Sequence, residues 1–216
     1  ARMQRPGTTV APAGPKRCRF GPLEIEYDER VLTPRPWTIA QSDWAVELLA
    51  DAPPGALLEL CAGAGQIGLL AAMRTGRSLV QVEADPVAAR FAAGNAGRAG
   101  LADRTEIRCA RVEAALGPDE RFALVLADPP YLRSADRSRW PDDPRMAIDG
   151  GADGLGLIRA CLDAAASCLP PGGHLLLQVA GPGQAREVAA LAAGQFDAEA
   201  ARITDDERAV QLLRRR

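Results

Sequence analysis

The chain has 216 residues, 47% of them hydrophobic, and a formal net charge of −2 from 26 Lys and Arg against 28 Asp and Glu. That length suits one domain with a sizeable core, the charge gives no general field for nucleic acid, and no apolar run approaches the ~20 residues of a membrane span. His174 is the single histidine, Lys16 the single lysine, and the five cysteines include no Cys-x-x-Cys pair. Multi-histidine triads, metal centres, Schiff-base chemistry and a zinc or disulfide frame are therefore set aside. Ala1 to Arg19 is polar and has no apolar signal-peptide core, so the expectation is a cytoplasmic protein without a membrane partner.

Residues 1–18 read as a disordered arm because their Pro, Gly and Thr carry no periodicity. From Arg19 to Leu32 apolar and polar residues alternate, which predicts a β-hairpin. A helix is expected after Pro36, N-capped by Thr38, running to Ala50 with Ile39, Trp44, Val46 and Leu49 buried. Short apolar strands then alternate with helices. The strands are Leu57 to Cys61, Leu79 to Val82, Thr105 to Cys109, Phe122 to Ala127 and His174 to Ala180. The helices are Gln66 to Arg74, Pro86 to Ala99, Gly154 to Leu169 and Gln184 to Ala193. Two closing strands, Phe196 to Ile203 and Ala209 to Leu213, can pair as an antiparallel hairpin. Apolar strands of four to eight residues separated by helices predict an α/β fold. Its sheet is doubly wound and seven-stranded, mostly parallel with one antiparallel strand, preceded by the small hairpin, in one domain over 19–216.

Two motifs carry chemistry. Glu59-Leu-Cys-Ala-Gly-Ala-Gly-Gln-Ile-Gly68 sits where a strand turns into a helix, so Gly63 and Gly65 permit close approach of backbone to a ligand. Glu83 ends the next strand, placed to accept both ribose hydroxyls of an adenosine. Spacing alone fits a dinucleotide equally well. Glu59 supplies an acid for an ammonium or sulfonium charge, and no proton-relay pair for hydride chemistry is visible, which favours S-adenosyl-L-methionine (SAM). The second motif is Asp128-Pro129-Pro130-Tyr131, after the fourth strand of the alternating series. Its prolines free carbonyls from the ladder, Asp128 adds an acceptor oxygen and Tyr131 adds a ring. That set suits holding a planar NH2 group. The long loop Leu132 to Asp153, with Arg133, Arg137, Arg139 and Trp140, reads as a lid or binding loop.

These motifs resemble those of class I SAM-dependent N-methyltransferases, whose version of the second reads Asn/Asp-Pro-Pro-Tyr. Leu32-Thr-Pro-Arg-Pro-Trp-Thr38, Glu83 with Asn95-Ala96, Asp143-Pro144, Ala147-Ile148, Gly150-Gly-Ala-Asp-Gly-Leu155 and Leu169-Pro-Pro-Gly-Gly-His-Leu-Leu-Leu177 narrow the resemblance to HemK-type protein-glutamine N5-methyltransferases. It implies a Rossmann-like domain with SAM as cofactor and S-adenosyl-L-homocysteine as product. Glu59, Cys61, Ala62, Gly63, Gly65, Glu83, Ala84, Arg111, Val112 and Asp128 would bind the cofactor. Asp128, Pro129, Pro130 and Tyr131 would be catalytic, with Arg35, Trp37 and Tyr131 on the acceptor. The implied partner is a protein substrate, a translation release factor being the family's type. The alternatives are a base amino group in RNA or DNA, and a SAM- or nucleotide-binding protein without transferase activity.

The chain departs from the pattern in several places. Cys61 stands at the first glycine of the cofactor loop, and Trp37 and Ile39 replace acids. Arg111 stands where an acid usually meets the adenine amino group, with Glu113 as a substitute, and Asp128 replaces Asn. The first eighteen residues are too short for the helical substrate domain of such enzymes.

Overall fold

A computed structural model describes residues 14–205 and 207–216. A two-stranded antiparallel hairpin, β1 (Lys16–Phe20) and β2 (Leu23–Tyr27), comes first. It begins earlier than the expected Arg19, so the boundary drawn at residue 18 falls inside β1. The rest of the expected arm, 1–13, lies outside the described residues.

The main elements follow as α1 (Ile39–Leu49), β3 (Leu57–Leu60), α2 (Gln66–Thr75), β4 (Leu79–Glu83), α3 (Pro86–Arg98), β5 (Thr105–Cys109), β6 (Leu124–Ala127), α4 (Arg145–Ile148), α5 (Gly156–Cys168), β7 (His174–Val179), α6 (Gly181–Ala192), β8 (Phe196–Asp205) and β9 (Arg208–Arg215). The seven-stranded sheet has the order β5-β4-β3-β6-β7-β9-β8, and β9 alone runs against the rest. This is the expected architecture. The short α4 was not anticipated.

Period-two alternation divides the core between the two faces of the sheet. Leu58, Leu60, Val125, Leu175 and Leu177 join α5 and α6 on one face. Leu57, Leu79, Leu124, Leu126 and Leu176 join α1, α2, α3 and the hairpin on the other. Both faces are covered, so the strands are apolar on both sides.

The α1 helix departs from expectation. Its inward face is Gln41, Ser42, Trp44, Ala45 and Leu49, while Val46 and Ile39 are only half-buried. The Thr38 hydroxyl does not cap the helix but donates to the Arg35 carbonyl at 2.8 Å. Gln41 earns its burial through hydrogen bonds: its Nε2 donates to the Ala127 carbonyl at 3.0 Å and the Leu176 carbonyl at 2.9 Å. These two bonds pin α1 against the end of β6, directly before Asp128, while Gln41 Oε1 is buried without a hydrogen-bond partner among the described residues.

Asn95 performs the same task for the hairpin. Its Oδ1 accepts the Glu26 N–H at 2.8 Å, and its Nδ2 donates to the carbonyls of Glu26 at 3.0 Å and Ala64 at 2.9 Å. One side chain of α3 thus joins hairpin, helix and glycine loop.

Candidate active site

The chain order reverses between β3 and β6, so the loops leaving these neighbouring parallel strands diverge and open a crevice at their carboxyl ends. The glycine loop leaves β3 and Asp128 leaves β6. Two cavities occupy the crevice and share Leu32, Arg35, Asp128, Pro130 and Ala147.

The first cavity, of about 240 Å³, is lined by Cys61, Ala62, Gly63, Glu83, Ala84, Asp85, Arg111, Val112, Glu113, Asp128 and Met146 among others. Eight of the ten expected cofactor residues therefore meet there. Glu83 accepts N–H groups from Gly63 at 2.7 Å and Asp85 at 2.8 Å. Burial raises its pKa, and these backbone donors work against the rise. A Cβ on Gly63 would meet nothing within 4 Å, so the backbone lies open to the cavity at that point. Arg111 pairs with Glu113 at 3.3 Å on the rim.

Glu59 and Gly65 do not line this cavity. Glu59 lies on the α2 face of β3, buried, where Gln81 Nε2 donates to it at 2.5 Å and the Gly68 N–H also bonds it. Burial lifts its pKa to about 8, so the carboxyl is poorly suited to an exposed cofactor charge. Any Cβ on Gly68 would collide with this carboxyl. Gly65 has φ 86°, and a Cβ there would stand 2.9 Å from the Gln81 amide. These two residues set how closely α2 packs on the sheet.

Cys61 has φ 59° and is, among the described residues, the non-glycine with positive φ. A cysteine thus occupies the left-handed conformation that glycine would adopt without penalty. Its Sγ lies 4.0 Å from Cys161 Sγ, and that contact together with burial raises its pKa well above the usual thiol value.

The second cavity, of about 360 Å³, contains Arg35, Trp37, Asp128, Pro129, Pro130 and Tyr131. All six expected acceptor-side residues are therefore together. Burial pushes the Asp128 carboxyl up to about 7. The motif's backbone is supported from behind. Gln184 Nε2 donates to the Tyr131 carbonyl at 2.9 Å. A Cβ on Gly150 would stand 2.7 Å from the Pro130 carbonyl oxygen, and one on Gly154 2.6 Å from the Tyr131 oxygen. The Gly150 to Leu155 segment is glycine-rich because it passes directly behind Pro130 and Tyr131.

The rim is ionic. Arg35 pairs with Asp143 at 2.5 Å, Arg133 with Glu187 at 3.4 Å and Arg139 with Glu207 at 2.5 Å. Each pair ties the 132–149 segment to a different part of the chain. Arg137 turns instead to Asp149 at 2.7 Å within the segment and does not line the cavity. Trp140 is part of the wall, as are Gln184, Glu187, Glu207 and Arg208, which sequence reasoning missed. Only the strand order, in which β9 runs antiparallel beside β7, would have signalled the last two.

A family model described as "Conserved hypothetical protein 95" matches residues 43–138. The release factor glutamine methyltransferase of Bradyrhizobium diazoefficiens is 34% identical over 183 residues, covering 80% of this chain and 60% of that protein. The ribosomal protein uL3 glutamine methyltransferase of the same organism is 32% identical over 179 residues, covering 77% and 55%. The chain thus spans a little over half the length of these curated relatives. Among solved structures, ribosomal protein L11 methylase from Lactobacillus delbrueckii subsp. bulgaricus superposes with a TM-score of 0.63 at 14% identity, covering 88% of this chain and 84% of that one. The chain therefore has the Rossmann-like class I methyltransferase fold and, over the part aligned, is similar in sequence to release factor and ribosomal protein uL3 glutamine methyltransferases.

Proposed function

We propose that residues 19–216, with the hairpin extended back to Lys16, form a SAM-dependent methyltransferase domain that methylates the side-chain amide nitrogen of a protein glutamine. The observation that carries this reading is that Asp128 lines both cavities, so a cofactor in the one and an acceptor in the other would meet at it. Glu83 and the open Gly63 backbone fit the cofactor's ribose, since each carboxylate oxygen retains a lone pair beyond its backbone bond. Bound SAM would supply a methyl group already activated by its sulfonium.

The protein's remaining task is placement and charge stabilisation. An amide nitrogen becomes positive as it attacks, and acceptors aimed at its N–H groups stabilise that change. Asp128 and the Pro129 carbonyl are the candidate acceptors, with Tyr131 against the flat face of the amide. An ionised Asp128 can then receive the proton that the nitrogen gives up.

The paired rim arginines favour a protein over a nucleic acid. Arg35, Arg133 and Arg139 each face an acid, and phosphate binding would have to displace those partners. Incubation of a cell lysate with the chain and methyl-labelled SAM tests the reading. The expected label is protease-sensitive, nuclease-resistant and released as methylamine on acid hydrolysis of the amide. Nuclease-sensitive label would replace a glutamine acceptor with a base, and absence of any label would leave a binding protein.

A further inference from the structure

The short α4 runs along the seam between the two cavities. Of its consecutive residues, Met146 lines the cofactor cavity, Ile148 lines the acceptor cavity and Ala147 lines both. Met146 is 67% exposed, more than any other large hydrophobic residue among those described.

The backbone that carries this side chain is fixed at both ends. The Leu132 N–H, one residue past the Asp128 to Tyr131 motif, donates to the Ile148 carbonyl at 3.1 Å. The Gly150 N–H donates to the Leu132 carbonyl at 2.8 Å. Before α4, Asp143 pairs with Arg35. After it, Asp149 accepts from Ser134 Oγ at 2.6 Å and from Arg137 at 2.7 Å. The position of Met146 over the crevice is therefore set by the same segment that carries the acceptor motif.

A single exposed methionine on an open surface needs no explanation. This one stands at the lip of a cavity whose lining includes the apolar Ile67, Val82, Ala88, Val112 and Leu157. Methionine turns about three bonds and is unbranched, so it adapts to a flat ligand, and its sulfur makes favourable contacts with aromatic rings. A ligand that covered it would also remove an exposed apolar surface from water.

We propose that Met146 is a further cofactor-binding residue, whose side chain closes over the nucleoside of the bound cofactor and shuts water out at the seam with the acceptor cavity. This rests on the SAM reading above. The contact is made by an anchored backbone and a flexible side chain, and it acts on cofactor affinity.

The test uses the full chain with S-adenosyl-L-homocysteine as the probe. Dilute hydrogen peroxide converts a methionine thioether to the sulfoxide and is itself reduced to water, and mass spectrometry of peptides follows each methionine. Saturating probe should slow oxidation of Met146 roughly fivefold or more and leave the half-buried Met73 within about twofold. In calorimetry Met146→Ala should raise the dissociation constant of the probe roughly five- to thirtyfold, the scale of one covered apolar side chain. Met146→Leu, apolar and of similar volume, should stay within about threefold of wild type. Because the side chain is exposed, both variants should melt near the wild-type temperature. If the probe binds, either unslowed oxidation of Met146 or an unaltered dissociation constant in Met146→Ala would overturn this inference alone. Failure of the wild type to bind the probe would overturn the SAM reading and this inference with it.

Discussion

Glu83 reaches back from the end of β4 to accept the Gly63 N–H at 2.7 Å, joining two residues twenty positions apart. A carboxylate already aimed into the loop needs little rearrangement to meet a pair of ribose hydroxyls. Glu83→Ala should weaken SAM binding by ~1.5–3 kcal/mol, the scale of charge-assisted hydrogen bonds. Calorimetry on the folded variant checks this, and an unchanged affinity would remove Glu83 from the cofactor site.

Asp128 should act on turnover rather than on cofactor affinity. Asp128→Ala is expected to lose ~10²–10³ in rate, comparable to one preorganised transition-state contact, with SAM affinity nearly intact. Its carboxyl is lifted to about 7 by burial, so the ionised form accumulates as pH rises through that value. The wild-type rate should climb with pH through about 7, or lower where a bound cofactor's positive charge favours ionisation. Asp128→Asn should retain more activity than Asp128→Ala and lose this rise. A wild-type profile flat between pH 5 and 8 would show that the anion is not the working form.

Glu59 predicts a separate pH dependence, of stability. Its folded pKa of about 8 lies above the ordinary carboxyl value, so the native state binds its proton more tightly than the unfolded chain does. The associated stability is fully present below the unfolded pKa of ~4.3 and is lost as pH rises to about 8, at up to ~1.4 kcal/mol per pH unit. Asp128 has the same sign but is partly exposed and contributes less. Urea unfolding at pH 5 and pH 8 should show wild-type stability falling, and Glu59→Gln should fall distinctly less. Identical slopes would contradict the buried neutral carboxyl.

The left-handed Cys61 separates backbone strain from side-chain size. Cys61→Gly relieves a penalty of ~1–2 kcal/mol but gives back chain entropy and the packing against Cys161, leaving stability nearly unchanged. Cys61→Val fills more volume yet adds a β-branch at φ 59°. It should be less stable than Cys61→Gly by ~1 kcal/mol or more. Denaturant midpoints decide, and a valine variant as stable as the glycine one would argue that the conformation relaxes.

Much of this site could be read along the chain because it is local. The glycine loop, Glu83 and the Asp128 to Tyr131 segment each follow a strand directly, and strand ends are visible as the edges of apolar runs. The orientation of Glu59 was not readable in this way. Alternation distinguishes one face from the other only when one of them is wet, and both faces of β3 are buried. The rim pairs were hidden for a different reason. Arg35 and Asp143 are 108 residues apart and Arg139 and Glu207 are 68 apart, so their meeting depends on strand order. Arg208 depends on strand polarity as well, since an arginine at the start of a parallel strand would lie at the opposite end of the sheet. The glycines of Gly150 to Leu155 were visible as a pattern, but their purpose required the carbonyls of Pro130 and Tyr131 in three dimensions.

The reversed β9 also has a consequence for how the chain emerges from the ribosome. It is made after β8, yet it lies between β7 and β8 rather than at the rim of the sheet. Until Ala209 to Leu213 leave the exit tunnel, β7 presents a bare ladder of N–H and C=O groups and β8 has nothing to pair with. A nascent sheet with such an edge is open to pairing with a neighbouring chain. Translation pauses just before β9 should therefore favour aggregation, whereas pauses after it should not.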